Sequence, residues 1–512
     1  MKTERVKNAS RNAVFGVGLK LYQVLIPFFM KTAIVYYLGM DYLGLNGLFT
    51  SILQVLNLAE LGVGSAMVFS MYKPIAEDDT KTVRALLSLY RKYYRWIGNI
   101  IALVGICLVP FLPKIIHGSI PDDMNLYVLY LLNLSSVVLS YWFMSYKSSI
   151  LTACQRNDVI SKVMLLTETI KYALQFLVLV LFKSYYLYVA VMVITQILCN
   201  LLTAWMADKM YPEYRAEGEL PKEAVSGIHR RIRDLFTAKL GGTVVTTVDT
   251  LVVSSFLGLT MLGIYQSYHY VLTALFGLLT TIMTACMAGI GNSLVVDKEE
   301  KVYGDFKLLS FLLMWVNGIC VSCLWNLYQP FMRLWMGKDA LLPFSCVVLF
   351  CIYFLLYSIT LLFCAYKDAA GIWHQDRFRP LVASVVNLSL NIILVRRMGI
   401  TGIITATVIS YGIVIIPWLL YNLFHSIFSS DRAAGYLIQL IRHGITIAAS
   451  VAISNFICSK VTGNDVVVFV INGIISVIVS CMLFTAINYR STEFLQMIRL
   501  FGRFRKGKHR TA

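Results

Sequence analysis

Apolar stretches of about 20 residues recur along the whole chain, far more than the core of one soluble domain could cover. An α-helix rises about 1.5 Å per residue, so roughly 20 residues cross the ~30 Å hydrocarbon layer of a bilayer. Windows of that kind fall near residues 12–38, 43–70, 94–116, 125–147, 163–183, 185–207, 237–257 and 261–290. Six more lie near 308–329, 342–366, 381–397, 400–423, 437–458 and 466–488. This pattern predicts an all-α polytopic membrane protein of about fourteen transmembrane helices. Composition agrees. Charged residues make up 14% of the chain and hydrophobic residues 58%, whereas soluble domains carry about 25% charged residues.

The formal net charge of +18 raises the question of nucleic acid, since basic domains neutralise phosphates. Here the basic residues lie almost entirely between apolar runs, in alternate connections. Thirty-five Lys and Arg fall in the tails and even-numbered connections, seven in the opposite ones, and Lys20, Lys31 and Lys171 inside helices. A positive-inside bias of that size predicts cytoplasmic termini, an even helix count and no nucleic-acid partner. The first apolar run lacks a short core followed by a small-residue cleavage site, so helix one is expected to remain in the protein. Eleven cysteines are scattered singly. They are read as small apolar residues, neither disulfides nor metal ligands.

An internal repeat sets the expected architecture. Tyr37-Leu38-Gly39-Met40-Asp41-Tyr42-Leu43-Gly44 joins helices one and two, and Phe256-Leu257-Gly258-Leu259-Thr260-Met261-Leu262-Gly263 joins helices seven and eight. The offset of 219 also places Lys20 on Lys239, each followed by leucine. Six helices preserve orientation in the bilayer, so the offset predicts two parallel six-helix lobes, over 1–207 and 237–423. A basic linker over 208–236, two additional helices within 424–488 and a basic tail over 489–512 complete the expected organisation.

Ionisable residues inside spanning helices are costly unless they meet a partner or a wet cavity. Helix one carries Lys20 and Lys31, helix two Glu60, helix five Glu168 and Lys171, helix seven Lys239 and Asp249, and helix eight His269. Lys20 and Lys31 are eleven residues apart, about three turns, so they share one helix face about 16 Å apart along the axis. That face is expected to line a cavity able to attract an anionic headgroup. Lys20 and Lys239 lie near helix ends, where snorkelling explains them as well as substrate binding does. Glu168 and Lys171 are candidates for coupling or for a local ion pair, and His269 for a hydrogen-bonded packing role or a proton carrier. Lys31, Glu60 and Asp249 sit well inside their helices with no opposite charge one turn away. There is no GxxxxGK[ST] phosphate loop, HExxH pair or GxSxG turn, so no ATP, metal or other cofactor and no enzymatic activity are expected.

At the level of motifs, the chain resembles the polysaccharide-export branch of the multidrug, oligosaccharidyl-lipid and polysaccharide exporter superfamily, which includes the O-antigen and capsule repeat-unit flippases. The resemblance rests on Arg11-Asn12, Tyr37-Leu38-Gly39, Tyr42-Leu43-Gly44-Leu45-Asn46-Gly47-Leu48-Phe49, Leu58-Ala59-Glu60-Leu61-Gly62-Val63-Gly64-Ser65-Ala66 and Ser70-Met71-Tyr72-Lys73-Pro74. It continues through Ala153-Cys154-Gln155-Arg156-Asn157, Thr247-Val248-Asp249 and Ser254-Ser255-Phe256-Leu257-Gly258. The resemblance implies a V-shaped pair of helix bundles around a cationic cavity, with Lys31, Glu60 and Asp249 facing it. It implies alternating access without ATP in the bacterial cytoplasmic membrane, with an undecaprenyl-diphosphate-linked glycan as cargo. Membrane lipid and the polysaccharide assembly machinery are the implied partners. Multidrug or cation antiport and lipid II flipping are the alternatives within the same superfamily.

Overall fold

The computed structural model describes residues 2–117 and 124–499. Among them the secondary structure is entirely helical. The chain divides into two compact units, Met1–Gln266 and Ser267–Ala512.

The first unit begins with α1 (Lys2–Tyr37), α2 (Met40–Leu56), a 3-10 turn Asn57–Glu60, α3 (Val63–Ala76), α4 (Thr80–Leu108) and the short α5 (Leu112–Ile115). It continues with α6 (Leu126–Trp142), α7 (Ser148–Ala153), α8 (Asn157–Leu181), α9 (Tyr185–Met210) and the first part of α10 (Lys222–Val296). Local chemistry starts several of these helices. Asp79 accepts from the Thr82 N–H at 3.0 Å to open α4, and Asn125 accepts from Tyr127 and Val128 to open α6, satisfying N–H groups that a helix start leaves unpaired. Within this unit α8 packs on α1 and α9, and α6 on α4 and α9.

The second unit holds the rest of α10, then α11 (Glu299–Met336), α12 (Phe344–Ala369), α13 (Arg379–Met398) and α14 (Ile400–Ile409). A π-helical turn, Ser410–Ile415, leads into α15 (Ile416–Ser426), and α16 (Arg432–Cys458) and α17 (Asp465–Asn488) complete the unit. The last two helices pack on α11 and on each other. The buried set of α17 is Asn472, Ser476, Ser480, Phe484 and Asn488, one residue in every four. This ridge meets small and polar partners on α11. Asn326 donates to the Ser454 and Ser476 hydroxyls at 2.9 Å each, Ser480 donates to Ser322 at 2.9 Å, and Phe484 lies against Gly318. In a bilayer, where helix association gains little from burying apolar surface, small residues and interhelical hydrogen bonds supply the adhesion. The two additional helices are thus fastened to α11 by a polar seam.

Among the described residues twelve helices are long and apolar enough to cross a membrane, and α6 with α7 forms a thirteenth candidate bent by 51°. The 75-residue α10 is broken at Gly258, whose φ of 88° and ψ of 178° are not helical, so it comprises two rods. The twelve or thirteen candidates among the described residues are close to the fourteen crossings expected from sequence.

The compact units divide at Gln266/Ser267 and not in the basic linker 208–236. Hydrogen bonds from the linker and from the helix that follows it give the reason. The Ser254 carbonyl accepts from the His117 N–H at 3.0 Å, and the Ser254 and Ser255 hydroxyls donate to the Ile115 carbonyl at 2.9 and 3.1 Å, which ties the first rod of α10 to the first unit. The linker does the same: the Glu213 carbonyl accepts from Arg84 at 2.6 Å, Glu219 accepts from Lys92 at 2.9 Å, and His229 meets the Tyr93 hydroxyl at 2.7 Å.

The repeat has a structural counterpart. Gly39 (φ 114°, ψ 172°) and Gly258 share a backbone region that is essentially restricted to glycine. The Thr260 hydroxyl bonds the Asp41 carboxylate, and these are equivalent positions of the repeat. A Cβ on Gly44 would strike the Leu259 carbonyl, and one on Gly263 would strike the Met40 carbonyl at 2.6 Å. The two copies of the motif meet each other reciprocally, through glycines that let the backbones touch.

Candidate functional site

Helix α1 sorts its residues onto three faces. Leu21, Leu25, Phe29 and Tyr36 are exposed, while Leu19, Met30, Ala33 and Ile34 are buried. At about 100° per residue, Lys20 and Lys31 lie about 20° apart, roughly 135° from the centre of the exposed apolar face and roughly 100° from the buried one. Lys20 is exposed and Lys31 half-buried. The lysines therefore occupy a side of α1 separate from both its apolar surface and its packed surface. The side chain of Lys239 lies outside the described residues.

Glu60 lies where the second crossing breaks. Sequence suggests one rod over 43–70, but α2 ends at Leu56, a 3-10 turn carries Asn57–Glu60, and Gly62 adopts φ 89° in the left-handed region before α3 starts without a side-chain cap. Glycine supplies that conformation at little cost. A broken helix at membrane depth is tolerated where it lines a cavity, and a cavity of about 340 Å³ is present, lined by Gln54, Asn57, Glu60, Gly62, Gly64 and Ser65 among others. Around Glu60 stands a cage of phenols. The Tyr94 hydroxyl donates to Oε1 at 2.5 Å, Tyr141 donates to Oε2 at 2.6 Å, and Tyr90 donates to the Tyr94 oxygen at 2.7 Å. All three tyrosines are buried. None of them was marked by the sequence. Tyr90 and Tyr94 share a helix face by their spacing of four, but nothing in the chain pairs them with Tyr141.

Asp249 is buried and accepts a long hydrogen bond from the Tyr265 hydroxyl at 3.5 Å. His269 is half-buried, its Nδ1 3.2 Å from the Thr273 hydroxyl. Glu168 and Lys171 line a second cavity of about 340 Å³ in the first unit, with Thr167, Thr195, Gln196 and Asn200 among its walls. No ion pair within 4.0 Å joins them. Gln23 donates to Glu168 Oε1 at 3.3 Å, Oε2 is buried without a hydrogen-bond partner among the described residues, and the Lys171 ammonium lies 4.2 Å from the centre of the Tyr172 ring. Among the described residues no group of three or more His, Cys, Asp or Glu is placed to hold a metal ion.

Each unit also carries an ionic knot where its chain turns into α8 or α13. Asp158, fully buried, meets Arg11 and Arg156 at 2.9 Å and Lys162 at 3.4 Å, and its N–H donates to Asn12 Oδ1 at 2.8 Å. Asp376 receives Arg379 through two bonds of 2.6 and 2.8 Å and meets Lys367 at 3.1 Å. The two aspartates are 218 positions apart, one short of the repeat offset.

Among the described residues the all-helical structure, with its dozen long apolar helices, defines a multi-pass membrane protein. The profile of the polysaccharide biosynthesis protein family matches residues 10–287, more than half of the chain, and the chain belongs to that family. The fold is similar to a solved lipid II flippase, MurJ, in an inward closed conformation, with a TM-score of 0.69 and 16% identity over 93% of this chain and 99% of that one. It is also similar to an inward-facing multidrug resistance MATE family transporter, with a TM-score of 0.62 and 14% identity over 80% and 97%. A Vibrio cholerae MATE transporter, VcmN, is similar at a TM-score of 0.53 and 13% identity over 84% and 98%. Comparison with curated protein sequences gave no significant match.

Proposed function

We propose that this chain is a flippase that carries an undecaprenyl-diphosphate-linked oligosaccharide across the bacterial cytoplasmic membrane for surface polysaccharide synthesis, by alternating access, with both termini in the cytoplasm. The observation that carries the reading is the separate lysine face of α1. A diphosphate with a hydrophilic glycan cannot cross hydrocarbon unaided, whereas a polyprenyl tail is at home in lipid. Lys20 and Lys31, with Lys239 as the repeat equivalent of Lys20, hold the diphosphate as point charges along the translocation path. Asp249, buried on the seventh crossing, belongs to the same path, and the polysaccharide assembly machinery supplies and receives the cargo.

Glu168 is the coupling candidate. Its buried oxygen, without a hydrogen-bond partner among the described residues, lies in a polar cavity that Lys171 also lines and suits the uptake and release of a proton or cation during the cycle; His269 is a further candidate from sequence. This feature also favours the second reading, a cation or drug antiporter, which would share the coupling chemistry but not need the lysines.

The test is export of the surface glycan in cells carrying Lys31 variants at equal protein abundance. Lys31→Ala lowers export strongly, and Lys31→Arg retains more than Lys31→Gln. Normal glycan with Lys31→Ala, together with organic-cation uptake into proteoliposomes, would replace the flippase reading by the antiporter.

A further inference from the structure

We infer that the cavity at the break of the second crossing is a subsite for the neutral sugar of the cargo, in which Glu60, held by Tyr94 and Tyr141, accepts hydrogen bonds from glycan hydroxyls. The inference rests on the flippase reading and assigns the two halves of the headgroup to different places: diphosphate to the lysine face of α1, sugar to the carboxylate pocket.

The argument begins with charge. A carboxylate at the wall of a poorly screened cavity repels a diphosphate, so this pocket is unsuited to the anionic part of the cargo. What it offers is alternating acceptors and donors. Each Glu60 oxygen takes one phenol O–H and retains capacity for a further donor. The Tyr141 oxygen can still accept. On the donor side stand the amides of Gln54 and Asn57 and the backbone N–H of Gly64 in the first turn of α3, which has no side-chain cap. A sugar hydroxyl donates and accepts at once, and a wall that presents both kinds of group at short spacing is complementary to it.

Preorganisation is the second element. The phenol chain Tyr90, Tyr94, Glu60, Tyr141 fixes the carboxylate in one rotamer. The rings support one another edge to face, with centroids 4.4 Å apart for Tyr90 and Tyr94 and 5.2 Å for Tyr94 and Tyr141. Gly64 carries no side chain where a Cβ would lie 3.1 Å from the Tyr90 hydroxyl and 3.6 Å from Glu60 Oε1, so the carboxylate stays open to the cavity. Gln54 and Ser65 at its rim are exposed, which gives a ligand a way in. At about 340 Å³ the cavity is within the 300–1,000 Å³ range of small-molecule sites, a fit for part of a glycan and not for a long chain.

The experiment measures binding of two probes to the full-length protein in lipid nanodiscs by native mass spectrometry: undecaprenyl diphosphate, and the same lipid bearing the repeat-unit oligosaccharide isolated from the source cells. The wild-type protein prefers the glycosylated lipid. Glu60→Gln and, separately, Tyr141→Phe lower that preference about tenfold, the loss expected for a hydrogen bond to a charged group. Binding of the bare lipid shows that each variant is folded, and Tyr141→Phe serves if Glu60→Gln does not fold. A preference unchanged in the folded variants, or none in the wild type, overturns the sugar subsite alone. Failure of the wild type to bind either lipid overturns the flippase reading with it.

Discussion

Asp158→Ala tests whether the ionic knot of the first unit holds the start of α1 against the turn into α8. The Asp158 side chain is completely buried, whereas Arg11 and Arg156 are 28% and 23% exposed and Lys162 is 47% exposed. Removing the acid strands two largely buried guanidinium groups, the situation in which breaking a buried pair costs about 3–5 kcal/mol. Residual exposure of the arginines brings the expected cost to the lower end, about 3 kcal/mol, and the half-exposed Lys162 adds at most a few tenths. For a unit of this size that corresponds to a fall of about 6–12 °C in melting temperature. Asp158→Asn keeps the shape but not the charge, and should fall nearly as far. The assay is thermal unfolding of the purified protein combined with hydrogen exchange, in which amides of residues 8–16 and 154–162 lose protection before the rest of the unit. A melting temperature within about 2 °C of wild type and unchanged exchange at both segments would refute the reasoning, because it would mean that the arginines find water or lipid phosphate at no cost.

Other parts of the molecule give three further expected outcomes. Asn326→Leu removes both bonds that join α11 to Ser454 and Ser476, whose hydroxyls keep their bonds to the Val451 and Asn472 carbonyls; at about 0.6 kcal/mol per interhelical bond in a membrane, α16 and α17 should lose about 1 kcal/mol, seen as faster exchange confined to those helices. Gly62→Ala forces a Cβ into a left-handed conformation at a cost of about 1–2 kcal/mol, and glycan export should drop while Gly64→Ala, with ordinary backbone angles, has a different defect: its methyl group presses on the Tyr90 hydroxyl and disturbs the phenol chain. Lys92→Glu sets like charges against Glu219 and should expose the 208–221 segment to limited proteolysis, with export of glycan changed less than twofold.

Sequence periodicity makes the crossings legible because hydrocarbon thickness sets a minimum apolar length that any spanning helix must satisfy. The glycines of the repeat are legible for a different reason, since Gly39 and Gly258 occupy backbone angles closed to other residues. The interruption of the second crossing is better hidden: Asn57 to Gly62 contains enough Leu and Ala to pass as one continuous apolar run, and only Gly62 and Gly64 hint at a bend. The cage around Glu60 cannot be assembled from the chain, because Tyr141 comes from a helix 81 residues away. The ridge of α17 is in principle readable, as Asn472, Ser476, Ser480 and Asn488 recur at multiples of four residues in an otherwise lipid-facing helix. Asp158 and Asp376 are concealed because both belong to charged turns, where an acid among bases looks like ordinary solvated surface until its burial is known.

The reciprocal meeting of the two glycine motifs has a consequence for symmetry. Met40 covers Gly263 as Leu259 covers Gly44, and Asp41 faces its own equivalent, Thr260. A patch that serves as its own counterpart meets itself as the two faces of a two-fold interface do, and only Asp41 opposite Thr260 breaks that equivalence. Exchanging the two residues should restore the bond with its direction reversed.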